Sequence, residues 1–255
     1  AANILGIPTV IQEQNSYAGV TNKFLAKKAS CICVAYEGME RFFPKDKIVL
    51  TGNPVRQELL FIEPKKKEAY EFFGFQPNKK TLLILGGSLG ARTINESVIS
   101  HLEELAQSDI QIIWQTGKYY LNEALKIAEK FLSPTFMITD FISRMDFAYA
   151  IADLVVSRAG ASSISELSLL SKAAILVPSP NVAEDHQTKN ALALVKKEAA
   201  IMIKDAEAKN TLIPRALEII NDENQLKKLS QNIKQFAHKD ADELIAKEII
   251  SLIKT

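Results

Sequence analysis

Two segments of this 255-residue chain run from an apolar strand through glycine and serine into a helix, and together they restrict the fold more than any other feature. The first is Thr81-Leu82-Leu83-Ile84-Leu85-Gly86-Gly87-Ser88-Leu89-Gly90-Ala91-Arg92. The second is Asp153-Leu154-Val155-Val156-Ser157-Arg158-Ala159-Gly160-Ala161-Ser162-Ser163-Ile164-Ser165-Glu166. A strand that is apolar on both faces needs cover on both, as in a parallel sheet flanked by helices. The rest of the chain keeps this rhythm. Short apolar runs at 8–11, 31–35, 48–50, 82–85, 110–114, 135–138, 154–156 and 174–177 alternate with helical periodicity near 20–28, 91–106, 118–131, 144–151, 163–171 and 187–197. The expected class is α/β with a doubly wound parallel sheet. From about 205 onward the pattern is helical, with apolar positions such as Leu212, Leu217, Ile220, Leu244, Ile249 and Leu252.

The first 55 residues are organised differently. They hold three strand candidates and one clear helix before Gly52-Asn53-Pro54 interrupts the pattern. The chain opens on what reads as the last turn of a helix, residues 1–5, with Gly6 as its stop and no N-cap. So little helix covers a doubly wound sheet poorly, so residues 1–55 are expected to be the trailing part of a domain that begins before Ala1. Residues 56–239 read as a complete second domain, and 240–255 as a final helix.

Charge excludes one class of partner. Thirty-one basic against 30 acidic residues leave a net charge of +1, without the basic excess of a dedicated nucleic-acid binder. The clusters Lys27-Lys28, Lys65 to Lys67, Lys79-Lys80 and Lys227-Lys228 are read as solvated surface. No apolar run approaches the roughly 18–20 residues of a spanning helix, and the N-terminus has no leader-peptide pattern. A cytoplasmic setting is expected. Cys31 and Cys33 fall on one face of a strand and are read as apolar fillers in a reducing compartment.

Each glycine turn has two readings. Glycine lets backbone approach a ligand closely, and the free N–H groups of a helix start favour a phosphate. Against this, Ser88 could simply cap its helix, and Ser163-Ile164-Ser165-Glu166 fits a capping box. If Glu166 is instead free, its carboxylate suits a pair of sugar hydroxyls, such as those of a ribose. Two turns in one sheet would open on one crevice beyond the strand ends. Neither turn is a Walker loop or a Gly-x-Gly-x-x-Gly fingerprint, so no dinucleotide cofactor is expected. Arg56, after Gly52-Asn53-Pro54-Val55, is either a phosphate-binding fork at the domain boundary or a linker surface residue. Residues 178–190 form a polar loop entering a helix, read as a ligand-contact loop with Asp185 near the N-cap rather than as an Asp185-His186 acid–base pair.

Five segments, in order, resemble the MurG family of glycosyltransferases: Glu13-Gln14-Asn15-Ser16-Tyr17-Ala18-Gly19, Gly52-Asn53-Pro54-Val55-Arg56, Gly86-Gly87-Ser88-Leu89-Gly90-Ala91-Arg92, Arg158-Ala159-Gly160-Ala161 through Ser165-Glu166, and Asp185-His186-Gln187-Thr188-Lys189-Asn190-Ala191. The similarity runs from about residue 4 to 200 and weakens in the helical tail. It implies a GT-B fold, two Rossmann-like domains across a cleft, with the C-terminal one holding the donor. It also implies transfer of N-acetylglucosamine from UDP-GlcNAc to the C4 hydroxyl of lipid I, at the inner face of the cell membrane, by a peripheral enzyme without a cofactor or metal.

On this resemblance Ser88 contacts the diphosphate and Arg56 lies near the phosphates. The backbone of Ile142 meets the uracil, Glu166 accepts the ribose hydroxyls, and Ala161 presents helix-start amides to a phosphate. Gln187 holds the sugar hydroxyls, and Asn15 faces the sugar or acceptor from the other domain. Residues 1–55 then belong to the acceptor-side domain, 56–239 bind the donor, and the helix 240–255 packs back on the first domain. Inverting displacement follows, with the helix starts and Arg56 stabilising the departing diphosphate. His186 stands where some members carry glutamine and receives no catalytic role. The family's Gly-Gly-Thr-Gly-Gly-His loop, whose histidine is a leading candidate for the base, is absent from these residues, as is much of the membrane-seating patch. The base is therefore unassigned, and this chain alone is expected to be inactive. Two rival readings are a UDP-sugar epimerase on the same fold and a non-catalytic nucleotide-sugar-binding subunit. Dependence on lipid I separates the first from transfer, and reading the gene upstream of Ala1 separates the second.

Overall fold

The computed structural model describes residues 1–253 and contains two parallel sheets. The smaller holds β1 (Val10–Glu13), β2 (Cys31–Val34) and β3 (Ile48–Leu50), with α1 (Val20–Ala26) between the first two. Val10 pairs with Cys31, and Ile32 with Ile48. Its core gathers Ala18, Ala26, Ile32, Val34, Met39 and Phe43. Val20 and Phe24 of α1 point outward and are 67% and 78% exposed.

The larger unit starts with α2 (Lys66–Phe73) and β4 (Thr81–Leu85), then α3 (Arg92–Ser100), α4 (Leu102–Gln107), β5 (Gln111–Gln115), α5 (Leu121–Ala128) and β6 (Phe136–Thr139). It continues through α6 (Met145–Ile151), β7 (Leu154–Ser157), α7 (Ala161–Leu169), β8 (Ala173–Leu176), α8 (His186–Val195) and β9 (Ile201–Met202). Three helices close the chain: α9 (Asp205–Ile220), α10 (Glu223–Ile233) and α11 (Ala241–Ile253). The strand order is β6-β5-β4-β7-β8-β9, all parallel. The chain winds outward from β4 and then returns to start again at β7. The strands carrying the two glycine turns are therefore neighbours at the point of reversal, where open α/β sheets bind ligands.

Alternation along the strands divides the core in two. Leu83 and Leu85 of β4, with Val155 and Leu176, pack toward α2, α6, α7 and α8. Leu82 and Ile84, with Trp114 and Val156, pack toward α3, α5 and α9. Burying a side chain of this kind contributes about 1.5–3 kcal/mol, which is why these strands read as unbroken apolar runs. Among the described residues, no helix is long and apolar enough to cross a membrane.

The structure departs from the sequence expectation in three elements. Helix α2 falls on a segment rich in Lys and Glu; its Ala69 is buried, Tyr70 and Phe73 pack on the core, and Gly74 ends it at φ +68°. Strand β9 is only two residues long, too short to show a period. The helix expected over 91–106 breaks at His101, whose φ of −126° leaves the helical region and whose Nδ1 lies 2.8 Å from the Ser97 carbonyl.

The chain leaves the small sheet through Thr51–Asn53 and comes back past His238. Gly52 has φ +79°, and a β-carbon there would stand 2.3 Å from the Cβ of His238, so the two crossings touch with no room for a side chain. In α11, Asp242 accepts from Gln57, beyond the small sheet, at 2.8 Å, and Glu248 reaches the small sheet, accepting from the Cys31 thiol at 3.5 Å. Burial first, then the nearby Cys33 and Glu248 charges, push the Cys31 thiol up to about 12, so it stays protonated.

Burial also lowers the His238 pKa below 6.5, while Glu37 pulls it the other way. Folding therefore favours the neutral ring. Its contribution to stability is complete above about pH 6.5 and is lost as the pH falls through the lower folded value. Thermal unfolding at pH 7.5 and 5 is expected to show a larger acid-induced drop for the wild type than for His238→Gln. Equal drops would mean that His238 does not titrate on folding.

Candidate functional site

The β4–α3 turn is held from below and left open above. Gly86 donates to the Gln115 carbonyl at 2.8 Å, and a β-carbon on it would meet that same oxygen at 2.8 Å. Gly87, Ser88 and Leu89 stand exposed, and their N–H groups have no acceptor among the described residues. Ser88 is not a cap: α3 begins at Arg92 with Ala91 in the N-cap position and no side-chain capping bond. The loop is braced by close packing of Gly90 (φ +88°) on Gly117 (φ +81°). Behind it Asn95 donates to the Thr116 carbonyl at 2.8 Å and accepts from the Trp114 indole at 3.0 Å. Both side chains are fully buried, so this pair fixes α3 against the end of β5.

The β7–α7 turn has the same form. α7 starts at Ala161 after Gly160, again with no side-chain cap, so the amides of Ala161, Ser162 and Ser163 are the unpaired donors of a helix start. This overturns the capping-box alternative, because Ser163 and Glu166 lie inside the helix. The Glu166 carboxylate turns outward and takes two partners. Arg56 donates to Oε1 through Nε at 3.1 Å and Nη2 at 3.0 Å, and the Tyr149 hydroxyl donates to Oε2 at 3.0 Å. Arg158 is occupied elsewhere, bonding the Val177 and Pro178 carbonyls at 3.2 Å and pairing with Asp205.

Both turns open on one cavity of ≈190 Å³, bounded by Gly86, Gly87, Gln115, Tyr149, Ser163 and Glu166. At its approach lies the loop before α6. The Ile142 side chain is buried, but its backbone N–H and C=O bond no other described residue. That loop is anchored by Asp146, which accepts twice from Arg144 at 2.9 Å and once from Lys65 at 2.8 Å. Arg144 foremost, with Lys65, holds the Asp146 carboxyl well below the usual range despite its burial.

Across from α7, the loop after β1 meets α8. Asn190, fully buried, accepts from the Ser16 N–H at 2.9 Å and donates to the side-chain Oδ1 of Asn15 at 3.0 Å. Glu13 takes the other side of Asn15, accepting from its N–H at 3.1 Å and its amide nitrogen at 3.2 Å. Asn53 ties the same loop to α7 by donating to the Gln14 carbonyl at 3.0 Å and the Ser165 hydroxyl at 3.1 Å. Gln187, in the first turn of α8, accepts from the Ser179 N–H at 2.8 Å and holds down the loop before it. Glu184 and Asp185 in that loop both have positive φ (52° and 53°), an unfavoured conformation for such residues. Asp185 does occupy the N-cap position, without a side-chain capping bond.

Of the residues singled out from sequence, Glu166 and Arg56 meet directly, and Ser88 and Ala161 belong to the two turns whose Gly87 and Ser163 line the cavity. Ile142 lies at the loop beside it, while Asn15 and Gln187 stand on the two sides of the contact between sheets. Sequence reasoning missed Tyr149, Gly117 and the roles of Glu13 and Asn190. Tyr149 reads as one more apolar position of α6, and its partner is 17 residues away.

Similarity to known proteins agrees with this geometry. The family model for the glycosyltransferase family 28 C-terminal domain matches residues 81–245. A UDP-N-acetylglucosamine–N-acetylmuramyl-(pentapeptide) pyrophosphoryl-undecaprenol N-acetylglucosamine transferase of Parabacteroides distasonis is 60% identical over 248 residues, covering 97% of this chain and 67% of that protein. The transferase of the same description from Cytophaga hutchinsonii is 56% identical, over 100% of this chain and 68% of its own length. The chain thus spans about two thirds of the length of these relatives. The crystal structure of Acinetobacter baumannii MurG superposes with a TM-score of 0.75 at 29% identity, covering 98% of this chain and 68% of that one. A UDP-GlcNAc 2-epimerase of Neisseria meningitidis bound to UDP-GlcNAc shares the fold alone, at a TM-score of 0.67 and 15% identity, over 98% of this chain and 71% of that one. The fold is of the GT-B type, and the chain belongs to glycosyltransferase family 28, among the MurG transferases.

Proposed function

We propose that the protein transfers N-acetylglucosamine from UDP-N-acetylglucosamine to lipid I, the undecaprenyl-pyrophosphoryl muramyl pentapeptide, with inversion at the anomeric carbon. The observation that carries this reading is the convergence of two arrays of unbonded N–H groups and the Glu166 carboxylate on one cavity at the sheet's point of reversal. Such arrays stabilise negative charge that grows on a leaving diphosphate, and they need no reorganisation to do so. In this proposal the Ser88 hydroxyl and the neighbouring amides take one phosphate, and the helix start at Ala161 takes the other.

Glu166 accepts the ribose hydroxyls. A carboxylate has about four lone-pair sites, so it can take them in addition to Tyr149. Arg56, with its side chain 45% exposed, is able to rotate from Glu166 toward the diphosphate as the ribose arrives. The free peptide groups of Ile142 pair with the uracil edge, while Gln187 and Asn15 bracket the sugar. Residues 56–239 form the donor domain, residues 1–55 belong to the acceptor side, and α11 ties the two together through Glu248 and Asp242. Exposed Val20 and Phe24 beside Lys23, Lys27 and Lys28 support peripheral contact with the inner membrane face.

UDP binding followed by calorimetry tests the site. Ser88→Ala removes a single hydrogen bond to an anionic phosphate and is expected to weaken UDP roughly tenfold. Absence of UDP binding to the wild-type chain would sink the proposal. With the full-length protein, turnover of UDP-GlcNAc should require lipid I; turnover of the free sugar nucleotide would favour the epimerase reading instead.

A further inference from the structure

A larger cavity of ≈520 Å³ lies between α8 and the carboxyl ends of β2 and β3, and the donor site makes no use of it. One wall is a stripe of α8 and its C-cap, Lys189, Leu192, Ala193 and Lys196, whose spacing and helical backbone put all four on one face. The opposite wall is Ser16, Tyr17, Tyr36 and Glu37, and Phe236 closes one end. Charge in the lining is one-sided: Arg41, Lys189, Lys196 and Lys197 face Glu37 alone among acidic residues. Arg41 is fixed by the Ser16 carbonyl at 2.7 Å, and Lys189 by the Glu184 carbonyl at 2.7 Å and the Tyr17 ring at 3.3 Å. These contacts hold the cations in place without neutralising them. Lys196 and Lys197 form no ion pair among the described residues.

A second observation is independent of charge. Tyr36 is 8% exposed and lines this cavity, yet its hydroxyl has no hydrogen-bond partner among the described residues. The hydroxyl oxygen itself is not sealed from solvent, so it stands at the cavity as a free donor and acceptor that a ligand can use. The cavity also abuts the sugar end of the donor site. Ser16 follows Asn15, Lys189 stands two residues beyond Gln187, and Asn190 bonds both Asn15 and Ser16.

We propose that this cavity receives the peptide of the lipid acceptor, its carboxylates on Lys196 and Lys197 and one of its polar groups on the Tyr36 hydroxyl. This rests on the transferase reading, because the acceptor named for the relatives carries a pentapeptide. A second nucleotide fits less well. The lining cations at the rim are flexible lysines, which suit separate carboxylates, and the one glycine turn in the lining, at Gly38, opens only a single short turn, Met39–Arg41. Leu50, Leu192 and Phe236 offer apolar surface for the peptide's side chains.

The test is calorimetry of the 255-residue chain with soluble N-acetylmuramyl pentapeptide, alongside UDP. The wild type is expected to bind the peptide. The double variant Lys196→Glu/Lys197→Glu should bind it about tenfold or more weakly, and Tyr36→Phe roughly threefold more weakly, with UDP affinity unchanged in both. Amidation of the peptide's carboxylates should weaken binding as the double reversal does. Peptide affinity insensitive to both lysine reversals, or to amidation, overturns the proposal. So does displacement of the peptide by inorganic phosphate at equal concentration, which would make the cavity a general anion site. If UDP binds and the peptide does not, only this proposal falls; if UDP fails to bind the wild type, the transferase reading falls with it.

Discussion

Glu166→Ala is expected to lower UDP affinity by about a hundredfold. In the proposed complex its carboxylate accepts both ribose hydroxyls, and a hydrogen bond to a charged group contributes about 1.5–3 kcal/mol, so two of them correspond to 10² or more. The substitution has a structural cost as well. Tyr149 is almost wholly buried and its hydroxyl donates to Glu166 at 3.0 Å, so alanine leaves that donor without an acceptor. An orphaned buried group of this kind costs about 1–3 kcal/mol. Glu166→Gln separates the effects: its carbonyl oxygen still accepts from Tyr149, the charge opposite Arg56 is lost, and UDP should weaken only about tenfold. The decisive readout is the ratio of UDP to 2′-deoxy-UDP affinity. The wild type should discriminate clearly, and Glu166→Ala should not. Undiminished discrimination in the alanine variant would remove Glu166 from the ribose.

Gly117→Ala is expected to disable the same site from outside it. Gly117 contributes no group to the cavity, but a β-carbon there would stand 2.3 Å from the Gly90 nitrogen and 2.5 Å from its Cα. Both are backbone atoms that cannot turn aside as a side-chain end would. Gly117 also has φ +81°, which alanine tolerates poorly. Gly90 is itself tightly enclosed, since a β-carbon on it would stand 2.4 Å from the Tyr120 ring and 2.6 Å from the Thr116 carbonyl. The loop must shift, and the free amides of Gly87, Ser88 and Leu89 shift with it. Strain and clash together should cost about 3 kcal/mol in denaturant unfolding. UDP should weaken by more than tenfold, beyond the effect of Ser88→Ala. A variant with wild-type stability and UDP affinity would show that the contact between the two glycines does not shape the phosphate loop.

Much of the fold was legible because burial on both faces leaves a plain mark: eight of the strands stand where unbroken apolar runs stand in the sequence. What escaped notice lacked that mark. β9 has two residues, and α2 buries only part of one face beneath a surface of Lys and Glu. In the candidate site, glycine and serine beyond the strand ends pointed to both turns. Capping could not be separated from ligand binding, however, because Ser-x-x-Glu suits either until the first helical residue is known. The structure separates them by starting α7 at Ala161, two residues before Ser163.

The sequence by itself determined the local elements: apolar runs that must be strands, glycines where backbone must turn or touch, and a nearly balanced charge. Those properties depend on neighbours a few residues away. Only the tertiary structure decided that β4 and β7 lie side by side, although β7 starts at Leu154, 69 residues after β4 ends at Leu85. The partners of Glu166 and Asn190 were likewise settled only there. Arg56 is 110 residues from Glu166, and Asn15 is 175 from Asn190. A hydrogen bond depends on position and direction in space, and no local pattern encodes which distant residue will supply its other half.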